Sequence, residues 1–402
     1  MARIAIMHNT IQEYKWGSKS FIPALMGIRP LEQKPQAELW MGAHPKAPSK
    51  IIQDGVEKSL IDLFNESPEQ MLGSSVARRF SDTIPFLLKI IAVDRPLSLQ
   101  THPNRSQAAI GFSRETKKNI PLDAAHRNYR DRNNKPELIC ALRPFSALKG
   151  FRKTEDILDL FAKIGNLPHE IKIGPLKDNP PSLGLKTFFH SLLTMDADLQ
   201  KKIIYKIIRK AQSIESPDPS FRWMVRLYQE YPDDVGILSP ILMNLVRLRP
   251  GEAIFIPPGE LHAYLEGAGI EIMANSDNVL RGALTDKHID IPELMRIMKF
   301  RPCKVDILKP VKTGKHEASY PAESEEFILS KISLKKGDYY LSHTERNVEI
   351  MICMKGSGSI IDLETKERIE ISKGLSIIVP ASVTRYELSG NLLIYKASVP
   401  PL

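Results

Sequence analysis

The sequence predicts a mainly β chain with an α-helical insertion, and three observations predict it. Short apolar runs such as Ile84 to Val93 and Leu138 to Leu142, separated by Pro, Asn, Asp and Gly, fill the first 150 residues and read as strands and turns. From about Thr154 to Tyr231 the apolar period lengthens to that of helices. Strand-like text resumes near Val246, and a further β-patterned stretch runs from Pro310 to Leu402. The helical block therefore reads as an excursion from a β domain. The expected division is 1–151 with 236–312 as the first β domain, 152–235 as the helical insertion and 313–402 as a C-terminal β domain.

Within the insertion, Leu199, Ile203, Ile204, Ile207, Ile208 and Ala211 form an apolar stripe behind Lys201, Lys202, Lys206 and Arg209. That spacing predicts an amphipathic helix. Thr194 or Asp196 is the expected cap, because a side-chain oxygen there accepts from the free amides of the first turn. Thr154, followed by Glu155 and Asp156, signals the start of another helix.

Composition narrows the class. The chain has 402 residues, 42% hydrophobic and 26% charged, with 56 Lys+Arg against 47 Asp+Glu for a net charge of +9. A globular protein is indicated, and collagen-like or disordered chains are excluded. No window approaches the roughly 18 consecutive apolar residues that span a bilayer, and residues 1–17 lack the pattern of a secretory leader. A cytoplasmic protein that does not meet a membrane is expected. The positive charge is too dispersed to indicate nucleic acid. Three cysteines, Cys140, Cys303 and Cys353, stand far apart and form no thiolate metal motif.

An internal repeat follows. Gly251, Pro257, Gly259 and His262 are matched 123 residues later by Gly374, Pro380, Ser382 and Arg385. Upstream of the second copy lie Gly337, His343, Glu345, Glu349 and Gly356. These stretches resemble the two signature motifs of cupins, which implies two jelly-roll barrels beside the helical domain. The spacing has a physical reason: residues two apart on a strand share a face, and a Pro-x-Gly turn delivers one more side chain from a neighbouring strand. The C-terminal copy departs from the pattern at Glu345 and Arg385. A guanidinium in place of an imidazole repels a divalent cation, so that barrel is expected to hold no metal.

In the first β region the paired positions are Gln100 and His102, and the candidate carboxylate is Glu137, 35 positions after His102 where the cupin pattern has it within a few residues. Here the sequence resembles type I mannose-6-phosphate isomerases, through Tyr14–Ser18, Ala37–Pro45, Pro96–Pro103, Lys135–Leu138, Pro257–Tyr264 and Asn275–Gly282. The resemblance implies one Zn²⁺ per chain, held by Gln100, His102, Glu137 and His262, and a phosphorylated hexose as substrate. Zinc takes such N and O donors, although local chemistry alone leaves Fe²⁺, Mn²⁺ and Co²⁺ open. The implied reaction exchanges D-mannose 6-phosphate and D-fructose 6-phosphate through an enediolate. Arg281 is the expected stabiliser of its charge, or alternatively a phosphate ligand; the acid and base are expected among Lys135, Asp277 and, where the metal does not fully engage it, His102. Lys89, Ser98 and Lys287 are expected at the phosphate, with Tyr264 and Glu271 at the sugar and Trp16, Glu38 and Trp40 at the mouth. A metal-dependent cupin oxygenase and a non-catalytic sugar-binding cupin are the competing readings, and a monomer is expected.

Overall fold

The computed structural model describes residues 2–28, 34–216 and 218–401. Among them, two large antiparallel sheet systems carry the fold, and no helix is long and apolar enough to cross a membrane. The first system is organised around the strand Phe86–Val93, which is buried at every position. It lies between Glu38–Met41 and His262–Ala274. A run of eight residues with a single charge fits a strand covered on both faces. The expected strand Leu138 to Leu142 is Glu137–Ala141, lying between Ala253–Ile256 and His262–Ala274. The resumed β text begins at Met243–Leu248, earlier than the expected Val246, and pairs with Phe145–Phe151.

The helical block packs against the back of this sheet. Ile203, Ile204, Ile207, Ile208 and Ala211 of the helix Ala197–Ala211 are buried in one cluster with Leu148, Phe151 and Leu280 of the sheet. Asp196 caps that helix, accepting from the amides of Asp198 and Leu199. Thr194, the other candidate, instead ends the preceding helix Pro181–Leu193, bonding back to the carbonyl of His190. A helix does start at Thr154, although its hydroxyl makes no cap.

The C-terminal system reproduces the repeat in three dimensions. Gly251 and Gly374 have φ of 88° and 87°, a left-handed turn conformation that glycine adopts without steric cost. Each turn is followed by a short strand, Ala253–Ile256 or Ser376–Val379. One feature was not legible in the sequence: the first strand, Ala5–Ile6, pairs with Ile378 and Ile377 of the C-terminal sheet. The chain's beginning thus belongs spatially to the second barrel, and one apolar cluster joins Met7, Phe86 and Ile270 to Ile350 and Tyr395.

Candidate active site

Strand register brings the chemistry to one place. His262 lies beside Gln100, and Gln100 lies beside Arg281 on its other side. Directly opposed residues on antiparallel strands project to the same face. Glu137 opens its strand opposite Ile256, at the end of the strand that leads into the Pro257-Pro-Gly259 turn before His262. The Gly259 amide donates to the carbonyl of His102 at 2.8 Å, tying that turn to the other histidine.

His102, Glu137 and His262 are all buried, and one donor atom from each lies within 4.8 Å of the others. Glu137 Oε1 is 3.2 Å from His102 Nε2, and Glu137 Oε2 is 3.2 Å from His262 Nε2. Each ring presents its Nδ1 to a main-chain carbonyl, His102 to Asn278 at 2.7 Å and His262 to Glu260 at 3.0 Å. A carbonyl only accepts, so Nδ1 carries the proton and Nε2 keeps a bare lone pair. Neither Nε2 has a hydrogen-bond partner, although both are buried. Two orphaned imidazole nitrogens flanking one buried carboxylate fit a divalent cation such as Zn²⁺. Burial, aided by the Lys135 ammonium, lowers His102 to about 4, which keeps the ring neutral for ligation. Burial alone would raise Glu137, but the ammonium of Lys135 beside it outweighs this and holds the carboxyl well below its usual range.

The remaining expected residues fall into three settings. Lys135 Nζ is 2.8 Å from Glu137 Oε1, and the buried Tyr264 hydroxyl is 3.4 Å from Glu137 Oε2. Beneath them Lys89 is sealed between Glu271 at 3.1 Å and Glu38 at 3.6 Å, over the ring of Trp40. Its charge is already balanced by two carboxylates. Asp277 receives His44 Nε2 at 3.3 Å and Lys46 Nζ at 2.8 Å. Burial would raise its carboxyl; those two partners overcome this and hold it far below the usual range. It opens onto a cavity of about 740 Å³, lined also by Arg130 and Asn133.

A third group is cationic. Arg281 is half-buried, and its pKa is lowered by burial and by Arg130. Lys287 is lowered by burial and then by Arg281, with Arg130 and Lys46 adding to the effect. Asp286 offsets part of this at both, and the repulsion that remains is of the kind an anionic ligand relieves. Ser98 stands part-exposed just before the strand Leu99–Thr101, and Gln100 lies in that strand.

A family model for the phosphomannose isomerase type I catalytic domain matches residues 4–154. The chain is 38% identical over 392 residues to mannose-6-phosphate isomerase of Salmonella typhimurium, covering 95% of this chain and 96% of that one. It is 30% identical over 425 residues to the Rattus norvegicus enzyme of the same name, covering 98% of each. The chain belongs to the type I phosphomannose isomerase family. A holo, zinc-bound mannose 6-phosphate isomerase structure is similar with a TM-score of 0.91 at 37% identity, covering 99% of this chain and 100% of that one. A point mutant of the Salmonella typhimurium enzyme gives a TM-score of 0.92 at 36% identity with the same coverage.

Within this family member, sequence reasoning missed Arg130, His44 and Lys46. His44 lies inside the Ala37–Pro45 stretch and Lys46 just after it, so the signal for these two was present; Arg130 sits in an arginine-rich loop that charge counting alone treats as surface. In the second barrel the expected role of Arg385 needs correction. Its side chain is exposed rather than turned inward, and the inward cations are Lys396 and Arg346. A residue that ends a turn points wherever the following strand directs it, which the motif alone does not reveal.

Proposed function

We propose that this chain interconverts D-mannose 6-phosphate and D-fructose 6-phosphate with one zinc ion held by His102, Glu137 and His262, and by Gln100 as a fourth donor. The two unpartnered Nε2 atoms about Glu137 carry the reading. When bound, the ion supplies Lewis-acid polarisation of the substrate oxygens. Arg281, in register beside Gln100, supplies a fixed positive charge to offset the negative charge that develops on the enediolate oxygens. Lys135 is the better candidate to move the proton between C1 and C2, because it adjoins the ligand carboxylate. Asp277, held ionised by His44 and Lys46, is a weak base and orients substrate hydroxyls instead.

The phosphate belongs with the mutually repelling cations Lys287 and Arg130, with Ser98 as a hydroxyl donor. We do not assign Lys89 to it: an ammonium neutralised by Glu38 and Glu271 has little charge left to offer, and those groups, with Tyr264, buttress Glu137 from below. All the donors come from one chain, so the reading needs no second copy. It retains a cytoplasmic monomer and the three-part domain division, with Ala5–Ile6 transferred to the C-terminal unit. The isomerase reading prevails over the oxygenase because relatives matching 95% of the chain are isomerases. A coupled assay for fructose 6-phosphate tests it: turnover is expected with metal-replete protein, without oxygen, and is lost on chelation. Oxygen-dependent turnover or none at all would overturn it.

A further inference from the structure

A buried amide that the mechanism above does not use bonds both to a histidine of the metal triad and to the loop that precedes Lys135. Asn278 is fully buried. Its main-chain carbonyl accepts from His102 Nδ1 at 2.7 Å, which is the bond that leaves His102 Nε2 bare for a metal. Its side-chain oxygen accepts from the amides of Arg130 at 2.7 Å and Asp131 at 3.2 Å. Its side-chain nitrogen donates to the carbonyls of Asp131 at 3.0 Å and Asn133 at 2.9 Å, and to Asp131 Oδ1 at 3.0 Å.

Asp131 completes the lock. Its carboxylate accepts from the Asp277 amide at 2.8 Å, the Ser276 hydroxyl at 2.8 Å and the Asn133 amide at 2.9 Å. The segment 130–133 has no regular secondary structure to hold it. It nevertheless leads into Lys135, and Arg130 itself belongs to the cationic cluster.

We propose that Asn278 is a positioning residue which sets two parts of the reaction from one point. Its carbonyl fixes the tautomer of a metal ligand, and its side chain fixes the loop that presents Lys135 and Arg130. The proposal rests on the isomerase reading for its kinetic consequence and on geometry alone for its structural one. A side-chain substitution separates the two roles, because the carbonyl remains. In Asn278→Ala the ligand bond persists while the Arg130 and Asp131 amides lose their acceptor. Misplacing a reacting group by about 1 Å costs about 10²-fold in rate.

Three measurements on the metal-replete full chain test it. In Asn278→Ala, bound metal stays at one ion per chain, hydrogen exchange at the 130 and 131 amides accelerates at least tenfold, and kcat falls about 10²-fold with KM for mannose 6-phosphate within about threefold. The near-isosteric Asn278→Asp keeps the acceptor for the Arg130 and Asp131 amides but turns a carboxylate oxygen toward the Asp131 and Asn133 carbonyls, so it loses kcat at least as far as Asn278→Ala at full metal. A merely space-filling role would leave that variant close to the parent, and a kcat within threefold of the parent there would overturn the proposal. Unchanged exchange, kcat within threefold of the parent, or metal lost in step with activity would each overturn the proposal. If Asn278→Ala does not fold, Asp131→Asn alone is the replacement: faster exchange and lower kcat at full metal support the proposal, and no change in either overturns it. Should the parent protein show no isomerase activity, the isomerase reading fails, while the exchange result still judges the loop geometry.

Discussion

The two barrels carry matching buried charges, yet among the described residues only the first brings together the donors for a metal. Glu38 lies opposite Ile91 in the first and Glu317 opposite Ile332 in the second. Glu137 lies opposite Ile256, and Glu349 opposite Val379. Two residues earlier than Ile91 and Ile332, the first barrel pairs Lys89 with Glu271 where the second pairs Ser330 with Lys396. The lysine has therefore crossed to the neighbouring strand. In the first barrel it occupies Glu38 and Glu271, leaving Glu137 to face two imidazoles. In the second, Lys396 takes both Glu317 at 2.7 Å and Glu349 at 3.1 Å, and Arg346 takes Glu349 again at 3.2 Å. Glu137 also meets the Lys135 ammonium, so it is the two imidazoles it faces, where Glu349 faces Lys396 and Arg346, that separate a buried carboxylate able to serve a metal from one consumed within the protein.

The sharpest test of this contrast substitutes corresponding residues. His262→Ala should release the metal and lower turnover at least about 10³-fold, since metal polarisation contributes several kcal/mol. Arg385→Ala, its counterpart, should leave metal content and rate unchanged; a large loss there would break the comparison. Lys396→Met leaves Glu317 buried without its ammonium and Glu349 with Arg346 alone. It should cost about 3–5 kcal/mol in denaturant unfolding, while kcat of the folded enzyme stays at the parent value. Arg281→Ala should lower kcat about 10²–10³-fold at normal metal content, and a change below threefold would remove Arg281 from the enediolate.

Acid sharpens the comparison further. Burial would raise Glu317 and Glu349, but Lys396 outweighs it at both, with help from Arg346 at Glu349, and holds them below 4.5. Groups with lowered values in the folded state stabilise it fully above the unfolded value and lose that contribution as pH falls through the folded one. Stability should thus decline from about pH 4.5 downward, and Lys396→Met should flatten the decline; an unchanged slope would contradict the pairing. The smallest effect is expected from Lys287→Ala, where KM for the phosphorylated sugar should rise about tenfold. Equal losses for free mannose would reassign that lysine.

Much of this was legible in the chain. Spacing exposed the repeat and the amphipathic helix, with Asp196 as one of two candidate caps, and the resemblance to type I mannose-6-phosphate isomerases implied the convergence of His102, Glu137 and His262. These signals are local, or rest on turns that glycine and proline mark directly. The partners of Lys89 come from strands about 50 and 180 residues away, and which residues oppose it depends on register that no local pattern states. Asn278 was invisible for the same reason: a lone asparagine in a Ser-Asp-Asn turn shows neither the loop nor the histidine it holds. The inward turn expected of Arg385 failed because a motif fixes position along the chain but not side-chain direction.

Titrating metal-free protein with Zn²⁺, while following bound ion and fructose 6-phosphate formation together, tests the central claim most directly. Activity should rise linearly and saturate at one ion per chain, with no second site filled in the C-terminal barrel. Full activity before any ion is bound, or saturation only at two, would contradict it.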